Sequence, residues 1–470
     1  MPKHPFAHPL IRAAAAVLIA CAPHAPVSAA ATTEATLDAY IGEALAANPD
    51  LIAANLGVEA SREAAHAAAA QQWPSLALNA RYTRADGGRT IDFPAGDLLN
   101  GVYQTLNADL EAQGQPAAFP TIENQSIALL REREQETKLS LTAPLFAPSL
   151  WAQADAAEAL AQAASAGREA YARILVREVK RAYYGATQAE AAVQILEASE
   201  ALLAENVRVS EALVRTGKAT RDRALRAEAE RLAVVQRLDA ARALAAQTRR
   251  LLNALRDQPA EAPIELPEPA RLEAPRPEPG EGATRPELLQ IDRSIHAAAA
   301  QRRAATGTLL PTLALAADYG VEGTRYGFGA DDDFNTVSLV LSWSLWDFGS
   351  RSAQRRQAIA RTDQLKEQRR SLERQLELAR RAADDDLQTA LRSITAAQAR
   401  VVAAEEAFRI AQRKRSAASL SQVEFLDSER AVTEARLNLA VARCTALDRA
   451  AAVELTRASF PLPSRLATSE

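Results

Sequence analysis

Beyond residue 30, few side chains could do metal or nucleophilic chemistry: His66, His296, Cys444 and the aspartate runs Asp331-Asp332-Asp333 and Asp384-Asp385-Asp386. The two histidines fall on helical segments far from Cys444, without the short ligand spacing that lets neighbouring side chains share a zinc ion. Neither aspartate run has the alternating spacing of a calcium loop, so both read as solvated acidic surface. No serine sits in a nucleophile motif, and no phosphate loop is present. The sequence predicts no enzyme, no cofactor and no metal. What remains is electrostatic: Glu424 and Asp427 stand three residues apart on one helical face, and Arg221, Arg223 and Arg226 crowd a matching earlier stretch.

The elements that carry these charges follow from composition. The chain has 470 residues, 55 Lys plus Arg against 59 Asp plus Glu, 18 Gly, two Cys and 5% aromatic residues, and nearly a quarter of it is alanine. Such a chain leans toward long helices and excludes collagen-like or disulfide-stapled folds. The net charge of -4, with arginines interleaved among acids, offers no basic field for nucleic acid. Residues 1–30 read as a signal peptide: Lys3 and Arg12 flank a short apolar run, followed by small residues up to Ala29 and Ala30. Leu18-Ile19-Ala20-Cys21 offers a second route, cleavage before a lipidated Cys21. No later segment has the eighteen or so apolar residues of a membrane helix.

The remainder repeats. Pro49, Leu51, Pro74, Leu76, Leu78 and Tyr82 recur 237 residues later as Pro286, Leu288, Pro311, Leu313, Leu315 and Tyr319. Leu139, Leu141, Leu145 and Phe146 recur at an offset of 200 as Leu339, Leu341, Leu345 and Trp346. The first copy therefore carries a 37-residue insertion within 86–135, whose Gly, Asn, Pro and Gln content reads as a long loop. The repeats are expected over 31–256 and 286–460, joined by a Pro- and acid-rich linker at 257–285 and followed by a tail at 461–470.

Inside each repeat the period changes from two to about 3.6. Strands are expected near 75–84, 138–146, 312–321 and 337–346. One side of these strands holds Leu76, Leu78, Tyr82, Leu139, Leu141, Leu313, Leu315, Tyr319, Leu339, Leu341 and Trp343, and the other is polar. Strands of nine to eleven residues, greasy outside with aromatic ends, suit a tilted membrane crossing; a half-buried soluble sheet fits the periodicity too. Helical hairpins are expected over 149–255 and 349–459. The 66 residues from Ser149 to Val214 would extend roughly 100 Å, with a stripe through Val179, Ala186, Val193, Leu203 and Ser210. Turns fall near Gly217 and Ser419.

Four strands cannot close a barrel in lipid, because open edges leave backbone groups unpaired. Closure requires copies. Three chains give a ring of twelve strands continuous with a ring of twelve helices.

In this order of elements the sequence resembles the TolC-like outer membrane factor family. The signals are Asn48-Pro49, a strand after Pro74, a second ending Pro144-Leu145-Phe146, a long helix, a turn at Gly217, a returning helix, and the plan again from Arg285-Pro286. The resemblance covers essentially the whole mature chain. It implies a mainly α protomer with membrane β: coiled-coil helical hairpins plus four strands, completed as a homotrimer with a 12-strand barrel in outer-membrane lipid and an α-helical barrel in the periplasm. It further implies a passive channel that docks on a periplasmic adaptor protein and an inner-membrane pump. Val423-Glu424-Phe425-Leu426-Asp427-Ser428 matches the family's acidic tip pattern, which places Glu424 and Asp427 at a closed mouth and sets Arg221, Arg223 or Arg226 to pair with carboxylates there. Adaptor contacts are expected at Thr216, Gly217, Lys218, Ala219, Thr220, Ser419, Leu420 and Ser421. The chain departs from the pattern at Ala418-Ser419, where a glycine is expected. Two alternatives stay open, a protein-secretion channel and a soluble periplasmic coiled-coil adaptor.

Overall fold

The computed structural model describes residues 29–268, 274–275, 285–325, 332–417 and 419–467, with 29–34 as backbone only. Residues 1–28 of the expected signal segment, Cys21 among them, as well as Asp331 and Ala418, lie outside the described residues. Along the chain run α1 (Ala29–Ala47), α2 (Pro49–Ala70), β1 (Ser75–Arg84), β2 (Thr90–Phe93), α3 (Ala95–Ala112), β3 (Gln125–Ala128), β4 (Arg133–Phe146), α4 (Pro148–Arg215) and α5 (Arg221–Leu255). After the linker come α6 (Pro286–Gly307), β5 (Thr312–Gly323), β6 (Asp333–Ser342), α7 (Ser350–Ser416) and α8 (Gln422–Arg457). The duplication is visible in lengths: α2 and α6 have 22 residues each, α4 and α7 have 68 and 67, and α5 and α8 have 35 and 36. Two compact units result, the first spanning Met1–Pro49, Arg173–Glu281 and Ala379–Phe460, the second Asp50–Ala172, Gly282–Leu378 and Pro461–Glu470.

The second unit is built around a sheet. Pro49 and Pro286 open α2 and α6 at the helical position where a fixed φ helps and a missing N–H costs nothing. Pro74 and Pro311 then bar the helix from continuing and start β1 and β5 extended. The sheet is antiparallel in the order β1-β4-β5-β6. Leu76 faces Leu141 and Leu78 faces Leu139 across β1 and β4; Leu139 faces Tyr319, and Leu313 and Leu315 face Leu341 and Leu339. Gly320 lies opposite Lys138, where a Cβ would stand 2.5 Å from the Thr137 carbonyl oxygen.

Two expectations are corrected here. The insertion is no loop: β2 and β3 pair as a ribbon from Thr90 opposite Ala128 to Phe93 opposite Gln125, enclosing the 18-residue α3. Asparagines do the folding that apolar residues do elsewhere. Asn100 donates to the Ile122 carbonyl and accepts from the Ile122 amide, both at 2.8 Å. Asn107 likewise donates to Phe119 at 2.7 Å and accepts from the Ala118 and Phe119 amides. At seven residues apart these two lie on one helical face, which clamps the extended segment 118–122 to α3. The fourth sheet strand also ends at Ser342, not near 346. Its partner β5 begins at Thr312, so among the described residues Trp343 onward has no strand to pair with.

The first unit is helical. Val179, Ala182, Ala186, Ala189 and Leu203 of the α4 stripe are nearly inaccessible, and the alanines allow close approach of neighbouring backbones. Ala189, Val193, Leu196 and Leu203 pack with Val234 and Leu238 of α5 and with Phe425 and Leu426 of α8. At the far end of α5, Asn48 donates to the Leu255 carbonyl at 3.1 Å, and Arg256 pairs with Glu43 at 2.7 Å while stacking on Tyr40 at 3.9 Å.

Replacing Gly320 by alanine forces β4 and β5 apart and should lower stability by about 1–3 kcal/mol. Gly101→Ala on α3, where nothing lies within 4 Å, should be neutral or slightly stabilising. Thermal unfolding midpoints of the two variants in detergent check the contrast.

Candidate functional site

Two surfaces concentrate the residues singled out by sequence. The first is the sheet. The register puts Leu76, Leu78, Tyr82, Leu139, Leu141, Leu313, Leu315, Tyr319, Leu339 and Leu341 on one face, none of them buried. Leu78 is 70% exposed, Leu341 65% and Tyr319 61%, values that a water-soluble protein rarely tolerates side by side. Trp343, just past β6, is exposed and donates its indole N–H to the Leu309 carbonyl at 3.2 Å. The opposite face is ionic: Glu136 pairs with Arg81 at 3.1 Å and Lys138 at 2.8 Å, and Asn79 donates to Ser140 at 3.2 Å. Among the described residues, β1 and β6 each have one neighbour, so each presents an outer row of peptide groups without a strand partner.

The second surface is the pair of helical turns, and the two are built differently. The first reverses through Thr216, Gly217, Lys218, Ala219 and Thr220, all exposed except the half-buried Ala219. Gly217 has φ +69, a left-handed conformation that glycine adopts freely, and the Lys218 amide closes the turn on the Leu213 carbonyl at 2.9 Å. The second turn relies on a capping box: the Ser421 hydroxyl accepts from the Glu424 amide at 3.2 Å while the Glu424 carboxylate accepts from the Ser421 amide at 3.1 Å. Ser419 is exposed, and Leu420 packs partly against the core.

Glu424 and Asp427 both face solvent at the start of α8. The Ser421 amide and then its hydroxyl hold the Glu424 carboxyl below its ordinary value. Among the described residues, no ion pair joins Arg221, Arg223 or Arg226 to a carboxylate. The cation that does link the two tips is Arg430, which meets Glu230 of α5 at 2.6 Å and stands 4.0 Å from Asp427.

Two features went unread in the sequence. Glu429 is 2% exposed and accepts hydroxyl hydrogen bonds from Ser199 at 2.5 Å and Thr433 at 2.8 Å. Its place in the apolar spacing Phe425, Leu426, Glu429, Val432 was the available signal. Arg430 follows it on the outer side, opposite Glu230, and only the pairing of the hairpins reveals that contact.

Of the residues considered for chemistry, His66 of α2 and His296 of α6 line one open cavity with Asp155 and Glu158. Burial pushes the Cys444 thiol up to about 12, which leaves it an inert packing group. Asp384 pairs with Arg457 at 2.8 Å and Asp386 with Arg449 at 3.3 Å. Among the described residues no cluster of His, Cys, Asp and Glu could hold a metal ion, and no helix is long and apolar enough to cross a membrane.

The profile of the outer membrane efflux protein family matches residues 40–256 and 282–458. No curated protein sequence matches the chain. The fold is similar to the Vibrio cholerae outer membrane protein VceC, at 19% identity and a TM-score of 0.74 over 90% of this chain and 96% of that one. The Campylobacter jejuni outer membrane channel CmeC gives 13% identity and 0.75, covering 90% and 85%. The Neisseria gonorrhoeae outer membrane channel MtrE, in its open state, gives 19% and 0.72, covering 90% and 88%.

Two measurements probe the tip. Glu429→Ala strands two buried hydroxyls and opens a cavity, and should cost about 2–4 kcal/mol, whereas Glu429→Gln keeps the acceptor and costs less; thermal unfolding compares them. The Glu424 carboxyl, depressed when folded, binds its proton more tightly in the unfolded chain. Its stabilisation is complete above the usual 4.5 and fades as pH falls through the lower folded value. Hydrogen exchange in the first turn of α8, corrected for intrinsic rates, should therefore speed up in acid, and Ser421→Ala, which removes the hydroxyl but keeps the amide donor, should reduce that difference without abolishing it.

Proposed function

Because the chain belongs to the outer membrane efflux protein family, we propose that three copies assemble into a passive efflux conduit through the outer membrane and periplasm. One observation carries this reading: a four-stranded sheet with an uncovered apolar face and an open strand at each edge. In hydrocarbon those edges must find partners, and three copies joined β6 to β1 supply twelve strands with no edge left. The apolar faces then meet lipid, and the ionic face with Arg81, Glu136 and Lys138 lines a hydrated lumen. A soluble adaptor would have covered Leu78, Leu341 and Tyr319 with its own helices.

The helical hairpins form the periplasmic part of the conduit, and their turns receive an adaptor protein that couples to an inner-membrane pump. The pump supplies the energy and chooses the cargo. Thr216 to Thr220 and Ser419 to Ser421 are the adaptor contacts in this reading. Glu424 and Asp427, repeated in three copies, ring the periplasmic mouth with carboxylates. Arg221 and Arg226, exposed and without an ion pair within the described residues of one chain, are the cations available to carboxylates of a neighbouring copy.

Planar-bilayer conductance tests the ring. Glu424→Gln combined with Asp427→Asn removes the charges, and glutamine preserves the capping box. Cation preference should fall and conductance should change; unaltered selectivity and conductance in the double variant would show that the carboxylates do not line the mouth. Carbonate washing tests the reading as a whole, since a channel stays with the outer membrane and a soluble adaptor is released.

A further inference from the structure

Where the two hairpins meet near their turns, buried polar groups outnumber the partners among the described residues. Asn206 and Ser210, one turn apart on α4, are 2% and 1% exposed. Arg415, at the end of α7, donates to the Asn206 side-chain oxygen at 2.5 Å and lies over the Phe425 ring at 3.8 Å. Gln422 donates to the same Asn206 oxygen at 3.2 Å. That oxygen is fully used. The Asn206 Nδ2, the Ser210 Oγ and the Arg223 Nε are buried with no hydrogen-bond partner, and so is the Gln422 Oε1.

Charge points the same way. Arg223 and Arg415 approach closely enough that, after burial itself, Arg223 is the cause that pulls Arg415 below its ordinary pKa. Neither arginine has a carboxylate partner among the described residues. Two half-buried guanidiniums held together without an anion are unfavourable, and each unpaired buried donor adds to the cost. Water could satisfy the donors but not the charge.

We propose that this cluster is a binding site for a small oxyanion of phosphate size, held by Arg223, Arg415, Asn206 and Ser210. Three unused donors lie on α4 and α5, Arg415 of the second hairpin bonds the same Asn206, and the charge of Arg223 acts on Arg415; a tetrahedral oxyanion has acceptors in enough directions to meet such donors. The bound anion ties α4 and α5 to α7 and α8 beside the turns. Its consequence for conduction rests on the channel reading above: occupancy favours the hairpin packing seen here and opposes any motion that separates the two turns.

The test uses the purified full-length protein in detergent, titrated with inorganic phosphate at constant ionic strength and followed by thermal unfolding. A saturable rise in midpoint is expected. Arg223→Gln and Arg415→Gln should each weaken the apparent affinity by about tenfold or more. Ser210→Asp, which supplies a carboxylate to the cluster, should raise the midpoint without phosphate and remove the phosphate response. That variant keeps the test informative if Arg415→Gln does not fold. Absence of a saturable rise, or a rise unchanged in Arg223→Gln and Ser210→Asp, overturns the site. In bilayers, phosphate should lower the open probability of the unmodified channel and not that of Ser210→Asp. A channel that conducts but shows no saturable stabilisation refutes the site and leaves the channel reading standing.

Discussion

A peptide group at the edge of a sheet keeps its hydrogen-bonding capacity whether or not a partner is present, and hydrocarbon provides none. That constraint governs how this chain is organised. Its sheet has four strands, two of them edges, and one face too apolar for water. In the proposed trimer a single copy is one arc of the barrel. Duplication within the chain then halves the number of subunits that closure needs, and the paired helices of its two halves have near-equal lengths.

The helical unit is held by a seam that packs tightly along its helices. Alanine makes the packing close along α4 without large interlocking side chains. Toward the turns the seam becomes polar: Glu429 is held by hydroxyls, Arg415 stacks on Phe425, and Arg430 reaches across to Glu230. Directional bonds of this kind specify one arrangement of the tips, beside the apolar packing of Phe425 and Leu426.

Much of this was legible in the residues. Alternation located both β1, an almost wholly exposed edge strand, and β5, half-buried between its neighbours. Prolines at 49, 74, 286 and 311 punctuated both repeats at the same places. What was hidden has a common cause: it depended on partners distant in sequence. Trp343 to Trp346 alternate like a strand but have no strand to pair with among the described residues. The insertion looked like a loop because asparagine is a poor helix former; its role as a bracket appears only when Asn100 and Asn107 meet the backbone of 118–122. Glu429 occupied a core position that only the hydroxyls of Ser199 and Thr433 make tolerable.

The insertion itself has a consequence for how such chains diversify. Its stems are adjacent, since the Ala85 amide donates to the Glu132 carbonyl at 2.9 Å, one step beyond the paired Arg84 and Arg133. Everything distal to that point is held by its own ribbon and asparagine clamps. The appendage is therefore a detachable head on a hairpin: it can lengthen, shrink to a tight reversal or be swapped for a different sequence, and the ladder between β1 and β4 still zips to the same last rung.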